Sequence, residues 1–299
     1  MTVTLAFIGL GNMGAPMAAN LAAAGHRVRG YDKVATCLDA AATAGVTPVA
    51  SATEAVADAD LVFTMLPAGR HVLALYDDIL AAARPGTLFV DCSTIDVVDA
   101  RAAHDKATAA GMRMLDAPVS GGVVGAEAGT LTFMVGGEPD DVAHVAPFLD
   151  VLGRKTVHCG GPSAGQAAKI CNNMILGISM IAVSEAFVLG ERLGLSHQAL
   201  YDVAATSSGQ CWALTTNCPV PGPVPTSPAN HDYRPGFAAP LMAKDLGLAA
   251  NAAKATGVRA ELGQHAAQLY AAYAQEAGAE ADFSGIVRDI REQRDGGPA

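Results

Sequence analysis

"FIGLGNMGAPMAANLAAAGH", residues 7–26, places glycines at 9, 11 and 14 directly after an apolar run and follows them with an alanine-rich stretch of helical character. A G-x-G-x-x-G spacing alone is a weak signal, because a chain with 32 glycines produces it by accident. Its context carries the reading. The first glycine closes a strand-like run, Pro16 sits near the start of the helical segment, and Asp32 ends the next strand-like run, "RVRGYD". In such a strand, turn and helix, Gly9 makes the tight turn, Gly11 lets the backbone approach a pyrophosphate, and Gly14 allows close packing of helix on strand. Asn12 and Met13 lead into a helix N-terminus that carries the anion. A carboxylate at Asp32 accepts from both ribose hydroxyls of NAD and repels a 2′-phosphate, so NAD is expected over NADP. The plain alternatives are a turn without a ligand and an Asp32 that is only a solvated strand end.

Working outward, short apolar runs rich in Val, Phe and Ile alternate with Ala-rich helical segments up to residue 162, the grammar of β-α units on a parallel sheet. The expected strands are TLAFIGL, RVRGYD, LVFTMLP, TLFVDCST, RMLDAPVS and LTFMVGG, with helices such as residues 15–24 and 71–83 between them. After "GGPSAG" the candidate elements are all helices. The expected fold class is therefore α/β, a doubly wound Rossmann domain over residues 1–162 followed by an all-α domain over residues 163–299. Ser163 with Gln166 three residues later reads as a capping box that opens the next helix, which runs to Gly194. That helix is apolar nearly all round, through Ile170, Met174, Ile175, Ile178, Ile181 and Val183, so neighbours are expected to enclose it. The stretch "NCPVPGPVPTSPANHDYRPG", residues 217–236, holds six prolines and reads as an irregular loop of the kind that forms lids or binding loops. Helical pattern resumes near residue 238.

Composition narrows the partners. A net charge of -10 and a pI near 5.1, with no block of Lys or Arg, argue against nucleic acid. The six cysteines form no C-x-x-C pair, and the start MTVTLAF lacks a secretory pattern, so a reducing cytoplasmic setting is expected. The stretch ICNNMILGISMIAVS carries Asn172, Asn173 and Ser179 and is short for a bilayer, so no membrane partner is expected. Mean hydropathy of +0.28 with 16% charged residues points to surface hidden between subunits, as in a homodimer or homotetramer.

If the sheet is parallel, further strand ends share the cofactor crevice. Leu66 and Pro67 end one strand, and Ser93 and Thr94 in "CSTID" end another; Leu66, Pro67 and Thr94 are expected to wall the cofactor, although a proline there also serves as punctuation. Ser120, Gly121 and Gly122 offer a hydroxyl and bare backbone N–H groups suited to a small carboxylate, or simply a glycine turn. No H-e-x-x-H type spacing marks a metal site and no G-x-S-x-G marks a nucleophile, so metal-free redox chemistry remains. Lys169, in "GQAAKICNN", stands near the start of the most apolar helix, with Asn172 and Asn173 at i+3 and i+4. Read alone it is a solvated first-turn lysine; with an amide on the same face it becomes a candidate proton carrier.

Several ordered stretches together make the chain resemble the β-hydroxyacid dehydrogenases, and within them the 3-hydroxyisobutyrate dehydrogenases. They are "GLGNMGAPMAANL", "TMLP", "DCSTID", "DAPVSGGVVGAEAGTLTFMVGG", "SAGQAAKICNNMILGISM", "SSGQCW", "PVPG", "LMAKDLGLA" and "DFSGIVRDI". The resemblance implies oxidation of a short hydroxy acid, 3-hydroxyisobutyrate, to its semialdehyde with NAD in valine catabolism. It implies Lys169 as general acid/base, Ser120, Gly121, Gly122 and Asn173 on the substrate carboxylate, and Lys244 near the nicotinamide. Trp212 and Phe237 become pocket walls for a methyl group, though core packing explains a lone Trp equally well. His71 stands where relatives often have Asn, and Gln210 where Arg is frequent. Serine, glycerate, tartronate semialdehyde and glyoxylate are alternative substrates, and a non-catalytic dinucleotide sensor is the alternative of another class.

Overall fold

The computed structural model describes residues 2–292. It divides into two compact units, residues 1–169 and 170–299, and the division falls inside one long helix.

The first unit runs β1 (Thr4–Ile8), α1 (Gly14–Ala23), β2 (Arg27–Tyr31), α2 (Ala35–Thr43), β3 (Thr47–Pro48), α3 (Ala52–Ala57), β4 (Leu61–Thr64), α4 (Gly69–Ile79), β5 (Leu88–Asp91), α5 (Val97–Ala109) and β6 (Arg113–Asp116). It continues with β7 (Val119–Ser120), α6 (Gly122–Glu127), β8 (Leu131–Gly136), α7 (Pro139–Leu152), β9 (Gly153–Gly160) and the start of α8 (Ala164–Arg192). The sheet order is β3-β2-β1-β4-β5-β6-β8-β7, with β9 on β8, and the six strands from β3 to β6 are parallel.

Both faces of that sheet are buried, and the sequence alternation is responsible. Leu5 and Phe7 of β1 point into one apolar layer while Ala6 and Ile8 point into the other. Leu61 and Phe63 of β4 follow the first layer and Val62 the second, with the Phe7 and Phe63 rings stacked at 5.9 Å. Each fully buried Phe or Leu contributes about 1.5–3 kcal/mol relative to exposure. From β1 the chain builds outward to β3, then returns to β4 on the other side, so a crevice opens at the carboxyl ends of β1 and β4.

Four expectations change. The run RMLDAPVS is two strands, because Pro118 has no N–H for a ladder. The run LTFMVGG, β8, is antiparallel to both β6 and β7. Strands β3 and β9 join the sheet unannounced; β9 is a polar edge strand with exposed Arg154 and Lys155, which suits an edge and masks the apolar alternation. The capping box at Ser163 does not form. Ser163 instead adopts a left-handed φ of 68°, its N–H donates to Asp116 Oδ1 at 2.8 Å, and Gln166 N–H donates to Asp116 Oδ2 at 2.8 Å. The carboxylate at the end of β6 thus caps α8 from outside the helix.

The second unit contains the rest of α8, then α9 (His197–Ala204), α10 (Trp212–Thr215), α11 (Ala239–Thr256), α12 (Glu261–Ala277) and α13 (Ile286–Glu292). Its core gathers Met180 and Phe187 from α8, Met242 and Leu246 from α11, Tyr270 from α12 and Ile286 from α13. With 29 residues α8 is long and apolar enough to cross a membrane by length and composition, yet it supplies this core. It is not enclosed all round within one chain: Ile175 and Leu189 are 65% and 61% exposed, and Leu193, just past its end, is 71% exposed. The proline-rich stretch is irregular as expected but anchored. Tyr233 OH donates to the Pro219 carbonyl, Asn230 bonds Gly222 N–H and the Val224 carbonyl, and Cys218 and Val220 are buried.

Candidate active site

The glycine loop begins where β1 ends. Gly9 has φ +95°, and a Cβ there would stand 2.2 Å from the Met65 carbonyl oxygen, so only glycine makes the turn beside β4. A Cβ on Gly14 would lie 1.9 Å from the Gly9 carbonyl oxygen, which fixes α1 hard against the strand end. A Cβ on Gly11 would meet nothing within 4 Å, so that glycine faces open space. No side chain caps α1. An uncapped helix N-terminus of ten residues behind an open glycine is a fit for a pyrophosphate. Asp32 follows β2; its Oδ2 accepts from Leu10 N–H at 2.7 Å and its Oδ1 from Val34 N–H at 2.8 Å. Each carboxylate oxygen has a second lone pair, so the group that orders the loop also has acceptors left for ribose hydroxyls. The residues present therefore fit NAD.

Next to this loop, the ends of β4 and β5 are held by a buried carboxylate that sequence reasoning did not single out. Asp91 Oδ1 accepts from Thr64 Oγ1 at 2.7 Å, Ser93 Oγ at 2.6 Å and Ser93 N–H at 3.2 Å. Ser93 Oγ in turn accepts from Leu66 N–H at 2.8 Å. Leu66 and Thr94, two expected cofactor walls, are thereby set by one network, and Pro67 stands exposed beside them. Burial pushes the Asp91 carboxyl up to about 6 against the pull of the Ser93 and Thr64 hydrogen bonds, with Asp116 raising it further. Burial and the same carboxylate push the Tyr76 phenol well above its ordinary value. His71 lies in the first turn of α4, and its Nδ1 is buried without a hydrogen-bond partner among the described residues.

Lys169 is the buried lysine of the first unit, 7% exposed, and its Nζ donates to the Val119 carbonyl at 2.8 Å. Val119 immediately precedes Ser120, Gly121 and Gly122, so amine, hydroxyl and bare N–H groups are brought together from β7, α6 and α8. Gly121 has φ +141° and Gly122 has φ +63°, conformations that favour glycine and turn the backbone into α6. A buried amine beside a hydroxyl and bare N–H groups is chemistry suited to moving a proton and to holding a small anion.

In the second unit, Asn173 is 2% exposed and donates from Nδ2 to Asp245 Oδ2 at 2.5 Å, while its Oδ1 accepts from Asn172 Nδ2 at 3.0 Å. Lys244 Nζ lies 3.3 Å from Asp245 Oδ1. Asp245 was missed in the sequence. Its signal was present, because it falls on the buried stripe of α11 with Met242, Leu246 and Ala249, where a carboxylate needs a partner. Phe237 packs its ring on Phe283 at 5.6 Å, and its N–H donates to buried Asp282. Trp212, the first residue of α10, is 51% exposed, and Gln210 is exposed. Among the described residues no three His, Cys, Asp or Glu side chains gather as a metal site.

Two family models cover most of the chain. The NAD binding domain of 6-phosphogluconate dehydrogenase matches residues 4–161, and the NAD-binding domain of NADP-dependent 3-hydroxyisobutyrate dehydrogenase matches residues 163–290. A curated probable 3-hydroxyisobutyrate dehydrogenase of Mycobacterium tuberculosis is 57% identical over 98% of this chain and 99% of its own length. An NAD-dependent L-serine dehydrogenase of Pseudomonas aeruginosa is 47% identical over 95% of this chain and 96% of its own. The solved Mycobacterium tuberculosis 3-hydroxyisobutyrate dehydrogenase with L-serine superposes with a TM-score of 0.95 at 57% identity, covering 97% of this chain and all of that one.

Proposed function

Because the chain belongs to the 3-hydroxyisobutyrate dehydrogenase family of NAD-dependent oxidoreductases acting on CH–OH groups, we propose that it oxidises 3-hydroxyisobutyrate to methylmalonate semialdehyde, a step of valine catabolism. The observation that supports this most is Lys169, a buried helical amine bonded to the carbonyl beside the Ser120, Gly121, Gly122 turn.

NAD, when bound along Gly9, Gly11, Asn12, Met13, Gly14 and Asp32 with Leu66, Pro67 and Thr94 around it, would supply a two-electron acceptor. The substrate carboxylate accepts from the Ser120 hydroxyl and the Gly121 and Gly122 N–H groups. That orientation presents the C3 hydroxyl to Lys169 Nζ, which takes its proton as the C3–H bond breaks. The Val119 carbonyl keeps the amine aimed while the proton moves, and in semialdehyde reduction the same amine returns it.

L-Serine is a second reading, favoured by the L-serine in the similar solved structure and by the serine dehydrogenase relative. Serine and 3-hydroxyisobutyrate share the carboxylate and the C3 hydroxyl and differ at C2, ammonium against methyl. The test is kcat/KM for both acids and other C3 to C5 hydroxy acids, with NAD and with NADP. The expected order puts 3-hydroxyisobutyrate with NAD first; serine ahead of it overturns the substrate, and NADP ahead of NAD removes Asp32 from its role.

A homodimer or homotetramer and a cytoplasmic location are part of the same proposal. The exposed apolar side chains of Ile175 and Leu189 on α8 and of Leu193 just after it support the first. Six unpaired cysteines support the second. Light scattering on the eluted protein should give two or four chains, and a monomer at micromolar concentration contradicts the assembly.

A further inference from the structure

Gln166 is fully buried in the first turn of α8, three residues before Lys169, and both ends of its amide are bonded to the turn after β5. Its Nε2 donates to the Ser93 carbonyl at 2.7 Å, and its Oε1 accepts from Ile95 N–H at 3.1 Å. Those two backbone groups flank Thr94, a wall of the cofactor site in the proposed function. The Gln166 N–H itself donates to Asp116 Oδ2 at 2.8 Å, so the same residue is pinned to the end of β6. Ser93 is fixed from beneath by Asp91 and passes that order to Leu66. All of these residues lie within the compact unit of residues 1–169.

An apolar side chain of similar volume would fill this space, whereas an amide placed to satisfy one donor and one acceptor two residues apart sets a distance and an orientation. From this geometry we infer that Gln166 is a positioning residue for the oxidation. It holds the helix turn that carries Lys169 at a set distance from the Thr94 turn, and so holds the amine against the reacting carbon. The inference rests on Lys169 being the general acid/base.

A displacement of about 1 Å in such a pair costs about 100-fold in rate. Gln166→Ala should therefore lower kcat about 10- to 100-fold, while KM for the hydroxy acid and Kd for NADH change by less than about 3-fold. Gln166→Glu keeps the shape but turns a carboxylate oxygen toward the Ser93 carbonyl; only its protonated form restores the donor, so its kcat relative to wild type should rise as pH falls. The decisive measurement is the double-mutant cycle. If Gln166 acts through Lys169, Gln166→Ala costs nothing further on a Lys169→Ala background. Losses that multiply, a Gln166→Ala kcat within about 2-fold of wild type, or a Gln166→Glu pH profile parallel to wild type each overturn the inference. Full turnover in Lys169→Ala alone overturns the reading of the lysine, is seen in that single variant, and takes the positioning role with it.

Discussion

Asp91 shows how a single buried group ties the site to pH. Burial raises its carboxyl from 3.8 to about 6, so the folded chain binds a proton there more tightly than the unfolded chain. The stability this group contributes is fully present below its unfolded value of 3.8 and is lost as pH rises through about 6, on the order of 3 kcal/mol. Asp91→Asn keeps an oxygen for Thr64 and Ser93 and removes the charge. In urea unfolding, wild type should lose stability relative to that variant as pH rises from about 4 to 7, then level off; parallel curves would contradict the assignment. The residues read most easily in the sequence were those defined by spacing, Gly9, Gly11, Gly14 and Asp32, because the whole pattern lies on one continuous strand, turn, helix and strand. Asp91, Gln166 and Asp245 stayed hidden because their partners lie far along the chain: Asp91 reaches back to Thr64, Gln166 to Ser93, and Asp245 to Asn173. Only tertiary structure brings such pairs together.

At the scale of elements, the start of α8 is where local signals and the fold diverge. Ser163 and Gln166 have capping-box spacing, but Asp116 takes both of their N–H groups and also faces His104 Nε2 at 3.1 Å. A buried carboxylate at a helix N-terminus gains from the free N–H groups and the helix dipole together, which the Ser163 hydroxyl does not match. Asp116→Ala leaves two buried donors unpaired and should cost about 2–5 kcal/mol in urea unfolding. A loss below about 0.5 kcal/mol would show that α8 is capped by other means. The same limit explains the strands. β1, β4 and β5 were legible because both faces are buried and each carries a run of at least three consecutive apolar residues. β3 has two residues and β9 a charged edge, so neither leaves a hydrophobic signature.

For the whole molecule, the α/β and all-helical halves were legible from the change in grammar near residue 162, whereas the compact units divide within α8, between Lys169 and Ile170. The first turns of α8 belong with the sheet because Asp116 and Gln166 bind them to β6 and to the turn after β5. This places the lysine in the same unit as the glycine loop and the Ser120 turn, the arrangement on which the proposed chemistry depends. The most direct test is the turnover of Lys169→Ala with 3-hydroxyisobutyrate and NAD, alongside NADH affinity and the thermal midpoint. The account predicts a kcat lowered about 10²- to 10⁴-fold with affinity and midpoint retained, and no recovery in Lys169→Arg, whose guanidinium stays protonated. Wild-type turnover in a folded, NADH-binding Lys169→Ala protein would contradict it.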